Sequence, residues 1–552
     1  MTDSSEPRLV GLPTPPQDAL SSGAIWRMDR ETFLKKGAAG VVTLSGLGAL
    51  LSACGSGAGT QAAAGGGKRP ATPTGKLTVE ISNAINFLDP ARKLSSGEYA
   101  LLGSMLEGLV RFNADFTAIE PALATRWERL RNDSEWVFHL RPNVKFHDGN
   151  VLDAKAVASS LEHYQKQAGS VFAYLFTGLK SIDSSDPSTV VVKFSAPQPD
   201  FLRLLPTLQI ISPAMLHGSA ADVTRRTNQH PVGTGPFRYL SQQPGANLIV
   251  QAFPDYWGDG PWFEQVVFRV VGQESAHVTA LEAGDVDLIS DVPPVLLTSL
   301  RANPSFAVST VQHSWVVGTM AFACDEPPFD DVRARQAVAH ALDKQQLVEK
   351  VLRGQAAVLD SPVPPGIYGS TPPSVAYDYD PAKAKQLLQA AGHTAPVQVK
   401  VTSYTTVPLA GQLGPAIVAQ LNDAGFDASF TLLEQGVGVK DLISPKRKYH
   451  IHFGNLGWFG GSLAQFQGMP FITHYAGKEI LAALQRVGAV QEGPERLAAI
   501  AHAQDLVLHE LPSLSLWTIK SSDVFERSIK DYEAPRDGFS SDYHLAYRSV
   551  AA

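Results

Sequence analysis

The chain has 552 residues, of which 44% are hydrophobic and 18% charged, and its 46 Lys and Arg stand against 53 Asp and Glu for a formal net charge of −7. That length can bury a substantial core and implies more than one domain or lobe, while the acidic balance excludes the basic footprint of a nucleic-acid binder. Cys54 and Cys324 are the two cysteines, so the chain can form at most one internal disulfide, and a core of this size does not need one.

In chain order, the polar, proline-containing stretch before Met28 is long for the start of an export signal and marks Met28 as an alternative start. Residues 29–35, DRETFLK, resemble a twin-arginine export motif with Glu31 in place of the second arginine, so the general secretory route is expected. Lys35 and Lys36 precede an uncharged run, 37–51, that matches the apolar region of an export signal and is short for a bilayer span. It ends in Leu51-Ser52-Ala53-Cys54, which resembles the bacterial lipobox, where the cysteine is acylated and becomes the mature first residue. The leader is placed at 1–54 and a tether at 55–75, because 55–67, GSGAGTQAAAGGG, has a linker composition. Removing 1–53 leaves the net charge unchanged, since that piece carries five acidic and five basic side chains.

Beyond the tether, strands are expected at 77–81, 135–140, 189–194, 247–252, 265–271, 397–402 and 428–433. Helical spacing predicts helices at 154–166, capped by Asp153, at 332–353 and at 381–391. Strands mixed with helices over this length indicate an α/β protein of several lobes, without internal repeats or a second segment of membrane-spanning length.

The motifs that carry chemistry are mostly missing. There is no HExxH, GxSxG, P-loop or paired CxxC, and nothing nominates a nucleophile with its base, so no enzyme is expected. Gly233-Thr234-Gly235 and Gly436-Val437-Gly438 each lack the third glycine of a dinucleotide fingerprint and are expected to be turns, as is the segment around His147 in 145–149, KFHDG. His450 and His452 alternate and would share one face of a strand; they are a conceivable metal pair, although two hydrogen-bonded histidines without a nearby carboxylate or cysteine fit the pattern better.

A series of longer phrases is more specific. Residues 121–128, PALATRWE, are followed by 136–153, WVFHLRPNVKFHDGNVLD, then by 233–237, GTGPF, 255–257, DYW, and 283–287, AGDVD. Pro328-Phe329, 332–337 (VRARQA), 341–343 (ALD), 379–392 (YDPAKAKQLLQAAG) and Gly457-Trp458 complete the order. In this order, across roughly 77–550, the chain resembles the family 5 extracellular solute-binding proteins of ABC transporters, whose members include oligopeptide, dipeptide and nickel binders. The resemblance implies a two-lobed periplasmic-binding-protein-like fold (type II, cluster C) with an extra inserted small domain. Lobe I is placed at 76–109, 231–312 and 518–552, the inserted domain at 110–230 and lobe II at 313–517.

It further implies a monomer that closes around a peptide or peptide-like solute and presents it to membrane permease subunits, with no cofactor and no catalysis. The protein would be held by its lipid anchor in the periplasm or at the outer face of the cytoplasmic membrane. Peptide-binding relatives carry an aspartate three positions after the tryptophan of the Gly-Trp phrase, which pairs with the peptide's amino terminus; here that position is Gly461, and no acid occurs from Ile451 to His474. A blocked or modified peptide, an opine-like conjugate, a sugar or a metal chelate would therefore also fit, and a hydrolase on this scaffold is a more distant alternative. Trp458 is the leading ligand contact, with Asn455, Phe459, Gly460, Gly461, Tyr404, Asp89, Glu434 and Cys324 as further candidates. Asp89 or Glu434 would supply the missing acid, and Cys324 stands close to where relatives carry an asparagine.

Overall fold

The structure, a computed structural model, describes residues 72–534 with 547 and 548, apart from 82–84, 86, 94–95, 114–117, 168–169, 171, 272–273, 291, 293, 313, 395, 406, 408, 443, 445–446 and 459–462. The leader and Cys54 lie outside the described residues, as do Phe459, Gly460 and Gly461.

The chain opens with β1 (Lys76–Ile81), α1 (Ser96–Met105), β2 (Val110–Phe112) and β3 (Ile119–Pro121). It then builds a smaller unit from β4 (Ala124–Leu130), β5 (Glu135–Leu140), α2 (Ala154–Lys166), β6 (Leu179–Asp183), β7 (Thr189–Phe194), α3 (Phe201–Leu204) and α4 (Ala220–Gln229). The next stretch supplies β8 (Phe237–Gln243), β9 (Asn247–Ala252), β10 (Gln265–Val270), α5 (Glu274–Glu282), β11 (Leu288–Ile289), α6 (Pro294–Ala302) and β12 (Phe306–Val311). A second large unit follows with β13 (Val316–Phe322), α7 (Val332–Ala341), β14 (Ala356–Val358), α8 (Pro381–Ala390), β15 (Val397–Tyr404), α9 (Ala410–Asp423) and β16 (Phe426–Leu433). It is completed by α10 (Gln435–Leu442), β17 (Ile451–Gly457), α11 (Ala464–Thr473), α12 (Lys478–Ala489), α13 (Pro494–Glu510) and β18 (Ser513–Ile519), before β19 (Ser521–Glu526) returns to the first sheet.

Three of the sheets organise these elements. Lobe I is a seven-stranded sheet in the order β12-β19-β11-β1-β10-β9-β8, the inserted domain a four-stranded sheet β4-β5-β7-β6, and lobe II a six-stranded sheet β14-β18-β13-β17-β15-β16. β1 is buried at every position after Lys76, because it lies between parallel neighbours and is covered on both faces. β5 and β7 alternate buried with half-buried residues, as strands covered on one face do. Lobe II buries Met320, Phe322, Val401 and Ile451 on one side of its sheet. A separate cluster with Trp315, Val317, Trp458, Phe466 and Ile500 fills the other.

Sequence patterning and structure agree closely for most elements. The helix at 154–166 is present with Asp153 as its cap, the carboxylate accepting from Ala156 N at 2.8 Å. Two expectations need correction. The helix read at 332–353 ends at Ala341: Leu342 is extended, and Asp343 starts a new short helix by accepting from Gln346 N, so the apolar spacing runs on through a break. Gly436-Val437-Gly438 is not a turn but lies in α10, where Glu434 Oε2 accepts from Val437 N at 3.1 Å. Gly438 is required there because an added Cβ would sit 2.3 Å from the Tyr404 ring.

The signature phrases meet in space at a residue outside them. Glu107, half-buried between α1 and β2, accepts from Thr234 Oγ1 at 2.8 Å, Trp257 Nε1 at 2.8 Å and Tyr256 Oη at 3.0 Å. Burial pushes its carboxyl up to about 7 against the pull of those three donors. His147 fixes the neighbouring loop: Gly233 N donates to its Nδ1, and its Nε2 donates to Gly235 O at 3.0 Å. Burial lowers this imidazole to about 4, consistent with the neutral tautomer that those bonds require. The inserted domain is thereby docked on lobe I, with Lys145 Nζ to Asp255 Oδ2 at 2.9 Å and Ile210 N to Glu107 O at 2.8 Å adding to the junction.

Candidate functional site

Two chain crossings join the large sheets, one between β12 and β13 and one between β18 and β19. They are tied together by Ser314 N to Ile519 O at 3.1 Å and, on the lobe I side, by Thr310 Oγ1 and Ser522 Oγ at 2.9 Å. β1 and β10 run parallel in lobe I, and β15, β16 and β17 run parallel in lobe II. In open α/β sheets the crevice at the carboxyl ends of such strands is the usual ligand position.

Trp458 directly follows β17. Its backbone N donates to Trp315 O at 2.8 Å, its side chain is 3% exposed, and it packs with Trp315, Val317, Leu463 and Phe466. Its indole Nε1 is buried without an acceptor among the described residues. Tyr404 ends β15, with its ring 4.3 Å from the His452 imidazole between centroids, and its hydroxyl is also buried without a partner among the described residues. Burial pushes that hydroxyl up to about 12, so it remains a proton donor. Asn455, half-buried in β17, pairs with Gly318 of β13. Glu434 is exposed at the end of β16 and holds the first turn of α10.

The other candidates are placed differently. Asp89 is completely buried, and its Oδ1 accepts from His163 Nε2 at 2.8 Å and from Ala91 N at 3.0 Å, which commits it to the junction with the inserted domain. Cys324 lies beyond the end of β13 distant from the crossing, roughly 25 Å along the strand from Val316. Its Sγ lies 3.5 Å from Phe322 O, and burial pushes the thiol up to about 12, so it is a packed, inert residue rather than a cleft contact.

His450 and His452 do not converge. His450 Nδ1 accepts from Lys400 N at 3.1 Å, whereas His452 Nδ1 bonds Thr402 Oγ1 at 3.1 Å, and burial lowers His452 to about 4. Among the described residues no group of three His, Cys, Asp or Glu side chains is arranged to hold a metal ion. The sequence also concealed contacts between the inserted domain and lobe II, which join residues nearly three hundred or more positions apart and leave no local pattern.

Two large sheets joined by a pair of crossings make a two-lobed architecture. The family description "Bacterial extracellular solute-binding proteins, family 5 Middle" matches residues 118–478, more than half of the chain. The probable D,D-dipeptide-binding periplasmic protein DdpA of Escherichia coli K12 is 30% identical over 486 residues, covering 84% of this chain and 92% of that protein. The chain therefore belongs to the family 5 extracellular solute-binding proteins. Similar folds occur in the periplasmic binding protein DppA of Helicobacter pylori with the peptide STSA (TM-score 0.73, 23% identity, 86% of this chain and 98% of that one). The binding protein AgaA of A. tumefaciens R10 with agropinic acid is also similar (TM-score 0.74, 21% identity, 87% and 99%). The family is one of exported solute binders rather than enzymes, and no helix among the described residues is long and apolar enough to cross a membrane.

Proposed function

We propose that this chain is the solute-capturing component of an ABC importer, held outside the cytoplasm by lipid on Cys54, and that its solute is a dipeptide or dipeptide-like molecule. It acts as a monomer, uses no cofactor, catalyses no reaction and hands the solute to membrane permease subunits. The observation that carries the solute class is the pair of buried donors without acceptors among the described residues, Trp458 Nε1 and Tyr404 Oη, at the ends of neighbouring strands. Burying a donor unpaired costs about 1–3 kcal/mol, and peptide carbonyl and carboxylate oxygens are acceptors that relieve that cost. The similarity to a protein named for D,D-dipeptides supports the same class.

With Gly461 where peptide-binding relatives have an aspartate, Glu434 receives the ligand's amino group. An opine-like conjugate is the second reading, favoured by that same glycine, because such a ligand needs no carboxylate partner for a free ammonium.

The test is calorimetry with D-alanyl-D-alanine and its N-acetyl derivative, on the wild type and on Trp458→Phe. Phenylalanine keeps a ring in the core but removes the N–H, whereas Trp458→Ala would cost about 3–5 kcal/mol in stability and obscure any effect on binding. The wild type is expected to bind the free dipeptide. Trp458→Phe should lose about tenfold in affinity, or about 1.4 kcal/mol, with no loss of thermal stability. Binding of neither compound, together with no peptide released from the purified protein on denaturation, would reject the dipeptide assignment; binding of the acetylated compound alone would favour the conjugate.

A further inference from the structure

The inserted domain and lobe II meet in a cluster of charges that the solute-binding reading leaves unused. Glu492, in the loop between α12 and α13, has both carboxylate oxygens engaged by the inserted domain. Arg203 Nη2 is 2.9 Å from Oε1, and Arg129 Nη1 is 3.2 Å from Oε2. Arg496, in the first turn of α13, reaches the other way, with Nη2 2.8 Å from Asp200 Oδ2. The Arg496 side chain is 0% exposed and that of Asp200 12%. Tyr368 of lobe II lies beneath both guanidinium groups, its ring centroid 4.9 Å from Arg203 and 5.8 Å from Arg496. Asp133 stands behind them, completely buried, with Arg129 Nε 3.9 Å away.

Asp133 is presented by an unusual backbone. Arg131, Asn132 and Asp133, which turn the chain from β4 into β5, all have left-handed φ values of 50°, 57° and 59°. Consecutive L-residues rarely adopt this region, and the surroundings must compensate for it. Asp133 O accepts from Trp136 Nε1 at 3.1 Å and from Gln198 N at 2.9 Å, which pins the turn and α3 together on the face that meets lobe II.

We infer that this cluster is a clasp, in which the inserted domain grips lobe II and holds the two lobes closed before solute arrives. The inference rests on the reading of the molecule as a closing binder. The inserted domain is fixed to lobe I by Ile210 N on the Glu107 carbonyl, His147 on Gly235 and Lys145 on Asp255, so lobe II cannot swing away about the two crossings without separating these pairs. Asp133, Asp200 and Glu492 balance Arg129, Arg203 and Arg496, so closure brings no net charge into the contact. Glu492 is 29% and Arg129 37% exposed, which leaves water at the rim to receive the charges as they part. A partly hydrated ionic contact of this kind suits repeated opening better than an apolar seam, and an apparent affinity scales with the closed, competent fraction that the clasp sets.

Small-angle X-ray scattering of the full chain without added solute tests this. The wild-type profile should fit the closed structure. Glu492→Gln and Arg496→Met should each shift the pair-distance distribution to longer distances, and the exchange of Asp200→Arg with Arg496→Asp should shift it back. D-alanyl-D-alanine affinity should fall severalfold in the opened variants and recover in the exchanged one. A wild type that is open without solute overturns the inference, as do folded variants that scatter like the wild type. Glu492→Gln decides the matter if Arg496→Met unfolds, because it removes one charge from a partly exposed position. Should no form bind the dipeptide, the solute assignment fails while the scattering still decides the clasp.

Discussion

Among single residues, Glu107 best shows how one half-buried group can hold distant sequence phrases together. Three donors converge on it, and yet burial dominates, raising its carboxyl from 4.5 to about 7. The folded state therefore holds this proton more tightly than the unfolded chain does. The resulting stability is fully present below about pH 4.5 and is lost as the pH rises through about 7. Glu107→Gln retains an acceptor oxygen but cannot ionise. Over that window the wild type is expected to lose stability relative to the variant, by at most about 3 kcal/mol. Urea denaturation at pH values spanning the window measures this, and parallel curves for the two proteins would show that Glu107 stays charged in the fold.

For the elements, legibility followed how local the cause was. Residues 135–140 and 154–166 could be read from the sequence because alternation and an Asp153 cap are properties of neighbouring residues. Residues 332–353 could not, because Asp343 ends one helix and caps the next without disturbing the apolar spacing. For the candidate site, Tyr404 and Asn455 were nominated only through the order of strands that a family resemblance supplies. The same reasoning misplaced Cys324, which follows β13 at the end away from the crossing. Gly318 in that strand is an element-level constraint no spacing rule reveals, for an added Cβ would lie 2.1 Å from Trp517 Nε1. Trp517 is 2% exposed and has little room to retreat. Gly318→Ala is expected to cost about 1–3 kcal/mol, seen as a lower urea midpoint at unchanged slope, and an unchanged midpoint would mean the tryptophan repacks freely.

In the whole molecule, the distribution of apolar cores determines how binding and unfolding are coupled. Lobe I is built on a core around Leu77, Val79 and Phe268, and lobe II on clusters around Met320 and Val401 and around Trp315 and Ile500. None of these core residues is shared between the lobes, and among the described residues the lobes are connected by the two crossings, the aromatic contact of Phe112 with Trp315 and the charged cluster around Glu492. Units with separate cores and a small joint surface unfold with less than full cooperativity. Calorimetry without solute should therefore give a van't Hoff enthalpy below the calorimetric one. A solute that touches both lobes adds the contacts they lack, and at a hundred times its dissociation constant it stabilises the closed form by about 2.7 kcal/mol. Saturating D-alanyl-D-alanine should raise the transition temperature and bring the two enthalpies together, because the first lobe to unfold must then release the ligand that braces the second. A single two-state transition without solute would mean that the crossings and the charged cluster already couple the lobes fully, leaving the ligand to raise the transition temperature alone.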